Sequence, residues 1–125
     1  MILDTNAFSA LADGDQRLAA VLSDTQVLSL PVVALGEYRY GILKSRRREE
    51  YEAWLARDLP LFRLLPITAE TTPHYAALRQ GLKESGRPIP ANDAWIGALA
   101  LQHRLPVVSR DQHFDAIAGL VRLDW

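Results

Sequence analysis

The sequence has no cysteine among its 125 residues. This absence excludes disulfides, zinc–thiolate sites and thiol nucleophiles, and it is compatible with a reducing cytoplasm. A metal ion bound to this chain would therefore be held by oxygen or imidazole ligands. Such ligands favour hard cations such as Mg²⁺ or Mn²⁺.

The sequence also lacks a long apolar run. No stretch approaches the roughly 20 apolar residues that are needed to cross a bilayer. The first residues, Met-Ile-Leu-Asp, lack the basic segment and the long apolar core of a secretory signal. We therefore expect a cytoplasmic protein that has no membrane-bound part.

An excess of positive charge is absent as well. The chain has 14 lysines and arginines against 15 aspartates and glutamates, for a formal net charge of −1. Nucleic-acid-binding domains are usually basic, so the total charge does not indicate such a function. It does not exclude one, because residues 44–48 (Lys-Ser-Arg-Arg-Arg) form a local basic run.

Short apolar segments alternate with helical patterns along the whole chain. The pattern predicts strands at residues 1–3, 26–30, 63–67, 105–109 and 120–123. It predicts helices at residues 16–22, 32–44, 69–83 and 93–102, and a charge-rich helix before Pro60. No repeat or linker divides the chain, so we expect a single domain over residues 1–125. The alternation predicts an α/β fold whose mostly parallel sheet of four to five short strands is flanked by helices.

Two acids directly follow predicted strands. Asp4 comes after the first strand and Asp111 after the fourth. Ligands of parallel sheets gather beyond the carboxyl ends of the strands, so these positions favour a functional site. The alternatives are structural: Asp4 could cap a helix, and Asp111 could belong to a turn. Asp115 is a possible fifth acid, although a solvated helix start explains it better.

Glu37 is placed unusually within its predicted helix. On a helical projection it shares a face with apolar and small residues, namely Val33, Ala34, Tyr40 and Gly41. A carboxylate on a core-facing stripe is costly unless it is paired or bound to a metal. The structural alternative is a buried ion pair, for example with Arg39.

Asp93 follows Asn92, which we expect to cap the next helix. An acid in a first turn often only complements the helix dipole. However, Asp93 shares a face with Ile96, Gly97 and Ala100, and this face is expected to point inward. That placement favours a functional role.

The four acids, Asp4, Glu37, Asp93 and Asp111, are most informative as a set. If they meet, their mutual repulsion raises their pKa values unless cations neutralise them. Oxygen ligands of this charge suit one or two Mg²⁺ or Mn²⁺ ions. Such ions activate water and stabilise charge on phosphate oxygens. The set therefore indicates hydrolysis of a phosphodiester.

Four segments that contain these acids resemble the PIN-domain family, and within it the VapC-type toxins. They are Leu-Asp-Thr-Asn at residues 3–6, Pro-Val-Val-Ala-Leu-Gly-Glu-Tyr at 31–38, Ile-Pro-Ala-Asn-Asp-Ala-Trp-Ile-Gly-Ala at 89–98 and Val-Val-Ser-Arg-Asp-Gln-His-Phe at 107–114. Each segment alone is degenerate, but the four occur in family order and span nearly the whole chain.

The resemblance implies a PIN-like three-layer fold and a role for each matching residue. Asp4, Glu37, Asp93 and Asp111 would form the catalytic cluster that holds Mg²⁺ or Mn²⁺. Asn6 and Ser109 would not bind the metal themselves but would orient the carboxylates or the attacking water. The family cleaves RNA, often tRNA or ribosomal RNA. Its toxins are commonly homodimers that are silenced by a cognate antitoxin protein.

The basic residues give candidates for RNA contact. Arg110, next to Asp111, is the stronger candidate, and Arg46 and Arg47 are further ones. For the latter two, a solvated helix start is the alternative. His113 is interpreted as a structural or solvated side chain.

The sequence thus predicts a metal-dependent endoribonuclease that serves as the toxin of a toxin–antitoxin pair. The alternative is a non-catalytic PIN-like module that binds RNA or protein. The complete acid set argues against it, because a binding module gains nothing from a charge cluster that must be neutralised.

Overall fold

The computed structural model describes residues 1–25 and 27–125. These residues form five short strands: β1 (Ile2–Leu3), β2 (Ser29–Pro31), β3 (Arg63–Leu65), β4 (Val107–Val108) and β5 (Arg122–Leu123). All strands are parallel, in the order β3-β2-β1-β4-β5. The predicted α/β class with a parallel sheet of up to five strands is confirmed.

Helices connect the strands. They are α1 (Thr5–Ala12), α2 (Gln16–Leu22), α3 (Val32–Ile42), α4 (Arg48–Asp58), α5 (Thr72–Glu84) and α6 (Ala91–His103), with 3₁₀ turns at Leu59–Leu61, Ala69–Thr71 and Gln112–Ala116. The chain moves outward from β1 to β3 and then returns to β4 on the other side of β1. Because parallel crossovers are right-handed, this reversal puts α5 and α6 on the opposite face of the sheet from α1 to α4.

The strands are shorter than the apolar patterns that predicted them. The third predicted strand, 63–67, ends at Leu65, and the fourth, 105–109, is reduced to Val107–Val108. The second begins at Ser29 and extends to Pro31, while Gln26, where we expected it to start, lies outside the described residues. Apolar side chains next to a strand still pack into the core, so hydrophobicity alone does not show where the backbone hydrogen bonds of the strand end.

Two predicted helix features differ from the structure. The helix predicted over residues 32–44 ends at Ile42. The last helix begins at Ala91 with Pro90 at its N-cap, so the prediction that Asn92 caps it is wrong. Proline before the first turn supplies the extended backbone that the cap position needs, and no side-chain cap forms there.

The central strand β1 sets the position of the functional end of the sheet. Ile2 and Leu3 are fully buried between β2 and β4. Leu3 is paired with Val108, so the next residues along the two strands, Asp4 and Ser109, leave the sheet side by side. Sheet register thus joins two residues that are more than a hundred positions apart in the sequence.

A cluster of aromatic rings holds α1, α3 and α4 against each other. Phe8 of α1 is fully buried, and its ring centroid lies 4.9 Å from that of Tyr38, 5.2 Å from that of Trp54 and 5.3 Å from that of Phe62. Edge-to-face rings at these distances add to the stabilisation from burial. The cluster keeps α3, which carries Glu37, next to α1, which follows Asp4.

No helix of the described residues has both the length and the apolar character that crossing a membrane requires.

Phe8→Ala tests the importance of the aromatic cluster. We expect it to lower the free energy of unfolding by about 3–5 kcal/mol, because the lost ring leaves a cavity that several rings line. Urea unfolding followed by tryptophan fluorescence measures this loss. Leu61→Ala is the control, since Leu61 is 76% exposed and its loss should change stability by less than about 0.5 kcal/mol. Equal losses for the two variants would contradict the assigned core.

Candidate metal centre

Asp4 lies directly after β1 and is almost fully buried, with 3% of its surface exposed. Its Oδ1 accepts a hydrogen bond of 2.8 Å from the amide of Ala7 and so caps α1. Its Oδ2 accepts a hydrogen bond from the hydroxyl of Ser109. Burial raises the pKa of Asp4, and these two hydrogen bonds partly oppose the rise. The capping interpretation is therefore correct, and it leaves Asp4 at the carboxyl end of the sheet.

Ser109 connects two of the predicted acids. It is fully buried, and while its hydroxyl donates to Asp4, the same oxygen accepts a hydrogen bond of 2.9 Å from the amide of Asp111. A single side chain thus fixes the separation of the strand ends that carry Asp4 and Asp111.

His113 lies between two of the acids. Its Nδ1 is 3.0 Å from Oδ1 of Asp111, and its Nε2 is 2.9 Å from Oδ2 of Asp93. The Nε2 contact lies outside hydrogen-bond geometry, so it is best described as a close electrostatic contact. The expectation that His113 is structural or solvated holds only in part, because the side chain is partly buried and contacts both acids, so it is not simply solvated. Its position two residues after Asp111, in a tight 3₁₀ turn, is the one sequence signal that could have indicated this.

Asp93 lies in the first turn of α6 and is partly buried. Ile96, Gly97 and Ala100 on its face are buried, as predicted. Gly97 allows this close packing, because a Cβ there would lie 2.7 Å from Cδ1 of Ile117. Burial raises the pKa of Asp93, and the negative charges of Asp4, Asp111 and Glu37 raise it further, while His113 opposes the rise.

Glu37 approaches the other acids from α3. Its negative charge contributes to the raised pKa of Asp93, so the two carboxylates lie within electrostatic reach. The predicted core-facing stripe is wrong in part: Tyr40 is 74% exposed, and the buried positions of α3 are Ala34, Tyr38 and Ile42. Glu37 lies beside this stripe and is half-buried. Within residues 1–25 and 27–125 it has no ion-pair partner, so the buried-ion-pair alternative has no support there.

The donors in this cluster fit a hard or borderline divalent cation. Ligand atoms of Asp93, Asp111 and His113 all lie within 4.8 Å of one another. The carboxylate oxygens that dominate this set suit Mg²⁺ or Mn²⁺. Burial is the largest cause of the raised pKa values of Asp4 and Asp93, and the neighbouring carboxylates raise them further.

The other predicted site residues lie outside this cluster of carboxylates. Asn6 is exposed in the first turn of α1. The guanidinium of Arg110 is 3.8 Å from Asp15 and lies over the ring of Trp125. Arg46 and Arg47 are exposed just before α4, and Arg47 pairs with Glu50 at 3.0 Å.

Asp115 is also separate from the cluster. Arg122 contacts both of its carboxylate oxygens, at 2.8 and 3.0 Å. This pairing lowers the pKa of Asp115. Asp115 is therefore an ordinary ion-pair partner and provides a matched control for the clustered acids.

The chain is similar to known proteins over nearly its whole length. The family model described as PIN domain matches residues 1–120. The chain is 33% identical to Ribonuclease VapC5 of Mycobacterium tuberculosis over 98% of this chain and 91% of that protein. It is 33% identical to Toxin FitB of Neisseria gonorrhoeae over 89% of this chain and 87% of that protein. The chain is also similar to a solved structure, VapBC-5 from Mycobacterium tuberculosis, a member of the VapBC family of toxin-antitoxin systems. The two superpose with a TM-score of 0.69 at 27% identity, over 98% of this chain and 94% of that one.

Asp93→Asn should stabilise the metal-free protein at neutral pH. In the fold, the pKa values of Asp4 and Asp93 are raised above the ordinary value of 3.8. At a pH between 3.8 and the raised pKa values, the folded chain therefore holds more protons than the unfolded chain. In that window stability falls as pH rises. We therefore expect the Tm of the variant in chelator to exceed that of the unsubstituted protein by a few degrees at pH 7.5. The gain should shrink as the pH approaches 4.

Asp115→Asn is the control for this measurement. Its carboxylate is stabilised by Arg122, so neutralising it should give no gain in Tm at pH 7.5. A lower Tm for Asp93→Asn than for the unsubstituted protein at that pH would refute the electrostatic description of the cluster.

Proposed function

The chain belongs to the PIN-domain family and is similar throughout to VapC-type ribonuclease toxins, and we propose that it is a metal-dependent endoribonuclease, the toxin of a toxin–antitoxin pair. The observation that carries this proposal is the meeting of acids from separate parts of the chain. Asp4, Glu37, Asp93 and Asp111 converge at the carboxyl end of a parallel sheet, and their charges repel one another. A bound cation would offset this repulsion, so the cluster supports a metal-dependent function.

We assign the metal to these four carboxylates, and the imidazole of His113, which has a nitrogen within 4.8 Å of ligand atoms of Asp93 and Asp111, would be a further ligand. Asp4, Asp93 and Asp111 would bind one or two Mg²⁺ or Mn²⁺ ions, with Glu37 completing the set. When bound, the metal supplies an activated water and neutralises charge on the phosphate oxygens. The chain's own groups hold this arrangement in place: Ser109 fixes Asp4 relative to Asp111, and the α1 amide of Ala7 fixes the second oxygen of Asp4.

The remaining site predictions stay part of this proposal. Asn6, exposed beside Asp4, would orient the water or the substrate phosphate from the solvent side of the cluster. Arg110, Arg46 and Arg47 would bind phosphates of the RNA backbone. For Arg110 this requires exchange of its contacts with Asp15 and Trp125, which is inexpensive because half of the side chain is exposed.

The proposed partners follow from the relatives. We propose an RNA substrate of the tRNA or ribosomal RNA class, a cognate antitoxin protein, a homodimeric state and action in the cytoplasm. Support for the antitoxin comes from the solved structure of VapBC-5 from Mycobacterium tuberculosis, a member of the VapBC family of toxin-antitoxin systems. A non-catalytic binding module is the second candidate, and the acid cluster argues against it for the reason given above.

Cleavage of RNA by the purified chain tests the proposal. We expect the unsubstituted protein to cut total RNA with added Mn²⁺ or Mg²⁺ and to lose this activity in chelator. Asp93→Asn should cut at least 100-fold more slowly, since it removes a proposed metal ligand. Asp115→Asn, whose carboxylate pairs with Arg122 outside the cluster, should cut normally.

An inert unsubstituted protein, after any bound partner is removed under denaturing conditions and the chain is refolded, would favour the binding-module alternative. Cleavage that persists equally in Asp93→Asn would mean that the site is assigned incorrectly. A gel that resolves the RNA fragments distinguishes these results.

The homodimer is tested separately by light scattering on the eluate of a sizing column. The expected mass is twice the chain mass of 14.0 kDa at micromolar concentration. A single-chain mass that persists as the protein is concentrated would contradict the proposed dimer. It would leave the assignment of the acids unaffected.

A further inference from the structure

His113 and two of the acids form a group of three possible metal ligands. Ligand atoms of Asp93, Asp111 and His113 all lie within 4.8 Å of one another. In the part of the chain that the structure describes, Asp4 and Glu37 do not belong to this group. The side chains of Asp93, Asp111 and His113 keep 23%, 40% and 26% of their surfaces exposed. An ion can therefore enter from solvent, and water can complete its coordination.

Asp4 is the least accessible acid of the cluster. Only 3% of its surface is exposed, and each of its carboxylate oxygens already accepts a hydrogen bond, one from the amide of Ala7 and one from the hydroxyl of Ser109. The three ligands around His113 are therefore the part of the cluster that an ion meets first.

The Nε2 atom of His113 is buried and has no hydrogen-bond partner among the described residues. It lies 2.9 Å from Oδ2 of Asp93, yet outside hydrogen-bond geometry. Buried polar atoms are nearly always paired, because an unpaired one loses its bonds to water without replacement. The short contact therefore calls for a group that satisfies both atoms.

A shared metal ion explains both the distance and the direction of this contact. Two ligand atoms that bind one ion at about 2.0–2.2 Å lie about 2.8–3.6 Å apart in octahedral or tetrahedral geometry. The ion then lies along the lone pair of the ring nitrogen, and the carboxylate oxygen lies beside that direction. The 2.9 Å separation of Nε2 and Oδ2, without hydrogen-bond alignment, agrees with this arrangement.

Water or a cationic side chain fits this contact poorly. A water molecule at hydrogen-bond distance from two atoms that are 2.9 Å apart would meet them at an angle of only about 60°. Its two O–H bonds diverge far more widely than this. The N–H bonds of an ammonium or guanidinium group from a protein partner diverge too widely as well. The shorter bonds to a metal ion avoid this conflict.

The imidazole decides which class of ion fits best. Carboxylate oxygens suit Mg²⁺, whereas imidazole nitrogen suits Zn²⁺ and other transition ions. Zn²⁺ in proteins accepts three ligands of the histidine and carboxylate types, with water in the fourth position. Mg²⁺ is bound by oxygen and demands near-octahedral geometry. Two carboxylates and one imidazole therefore favour an ion of the Zn²⁺ class.

We propose that Asp93, Asp111 and His113 bind a transition ion of the Zn²⁺ class, and that Nε2 of His113 makes this position prefer such an ion to Mg²⁺. Zn²⁺ then competes with Mg²⁺ for the carboxylates of Asp93 and Asp111. The inference deepens the proposed nuclease function and rests on it for its meaning. Its test measures metal binding without RNA, so that the two fail separately.

The first measurement is calorimetric titration of Zn²⁺ and of Mg²⁺ into the metal-free, full-length protein without a histidine tag. Zn²⁺ binds many nitrogen and oxygen sites tightly, so the informative quantity is the contribution of His113. His113→Asn removes Nε2. It should raise the Kd for Zn²⁺ by at least about tenfold, since even groups that only orient a ligand cost about 10- to 100-fold. The Kd for Mg²⁺ should rise by a clearly smaller factor.

His113→Gln is the second variant. Its longer side chain offers an amide oxygen in place of the ring nitrogen, and oxygen suits Mg²⁺ better than Zn²⁺. We expect it to fold and to bind Mg²⁺, while the preference for Zn²⁺ falls as it does in His113→Asn.

The second measurement detects the ligand atom itself. The chain has three histidines, so ¹⁵N NMR of the imidazole rings resolves each of them. Saturation with Zn²⁺ should shift Nε2 of His113 and leave the rings of His74 and His103 unchanged. His103→Asn is the matched control for the titrations. It removes an imidazole ten residues along α6 from Asp93, about 15 Å away, and should leave both Kd values unchanged.

Several results would overturn the inference. One is saturation with Zn²⁺ that leaves the His113 ring resonances in place. Another is an equal rise in the Kd for Zn²⁺ and Mg²⁺ in His113→Asn, which would make His113 a positioning residue. A third is that His103→Asn weakens Zn²⁺ binding as much as His113→Asn does. If the protein cuts RNA with Mg²⁺ and any of these holds, the nuclease function stands and the metal preference does not. Zn²⁺ binding through His113 in a protein that cuts no RNA would give the reverse conclusion.

Discussion

The hydrogen bonds around the buried Asp4 carboxylate organise the functional end of this molecule. One oxygen caps α1 through Ala7, and the other accepts from Ser109, whose own oxygen accepts from the amide of Asp111. These bonds join the end of the central strand, the start of the first helix and the end of β4. A buried carboxylate without them would be too costly to retain. The site and the fold are therefore held by the same few contacts.

The remaining acids approach Asp4 from elements that the hydrophobic core places. Phe8 packs against Tyr38 and so holds α3, with Glu37, against α1. Gly97 lets α6, with Asp93, pack closely against Ile117. Core packing thus brings together like charges whose mutual repulsion opposes folding. A cation would offset this repulsion, and the proposed chemistry requires one, so the proposal couples stability and function through one set of carboxylates.

The sequence by itself determined the α/β class and the order of the elements, and it predicted the four acids of the proposed site, because hydrophobic periodicity and the family segments are local signals. It did not determine strand lengths or the buried face of α3, where Tyr40 was expected inward and is exposed. Only the tertiary structure decided that His113 lies between Asp93 and Asp111 and that Ser109 joins Asp4 to Asp111. These contacts link residues from different elements, and strand register and helix packing, which no local pattern encodes, bring them together.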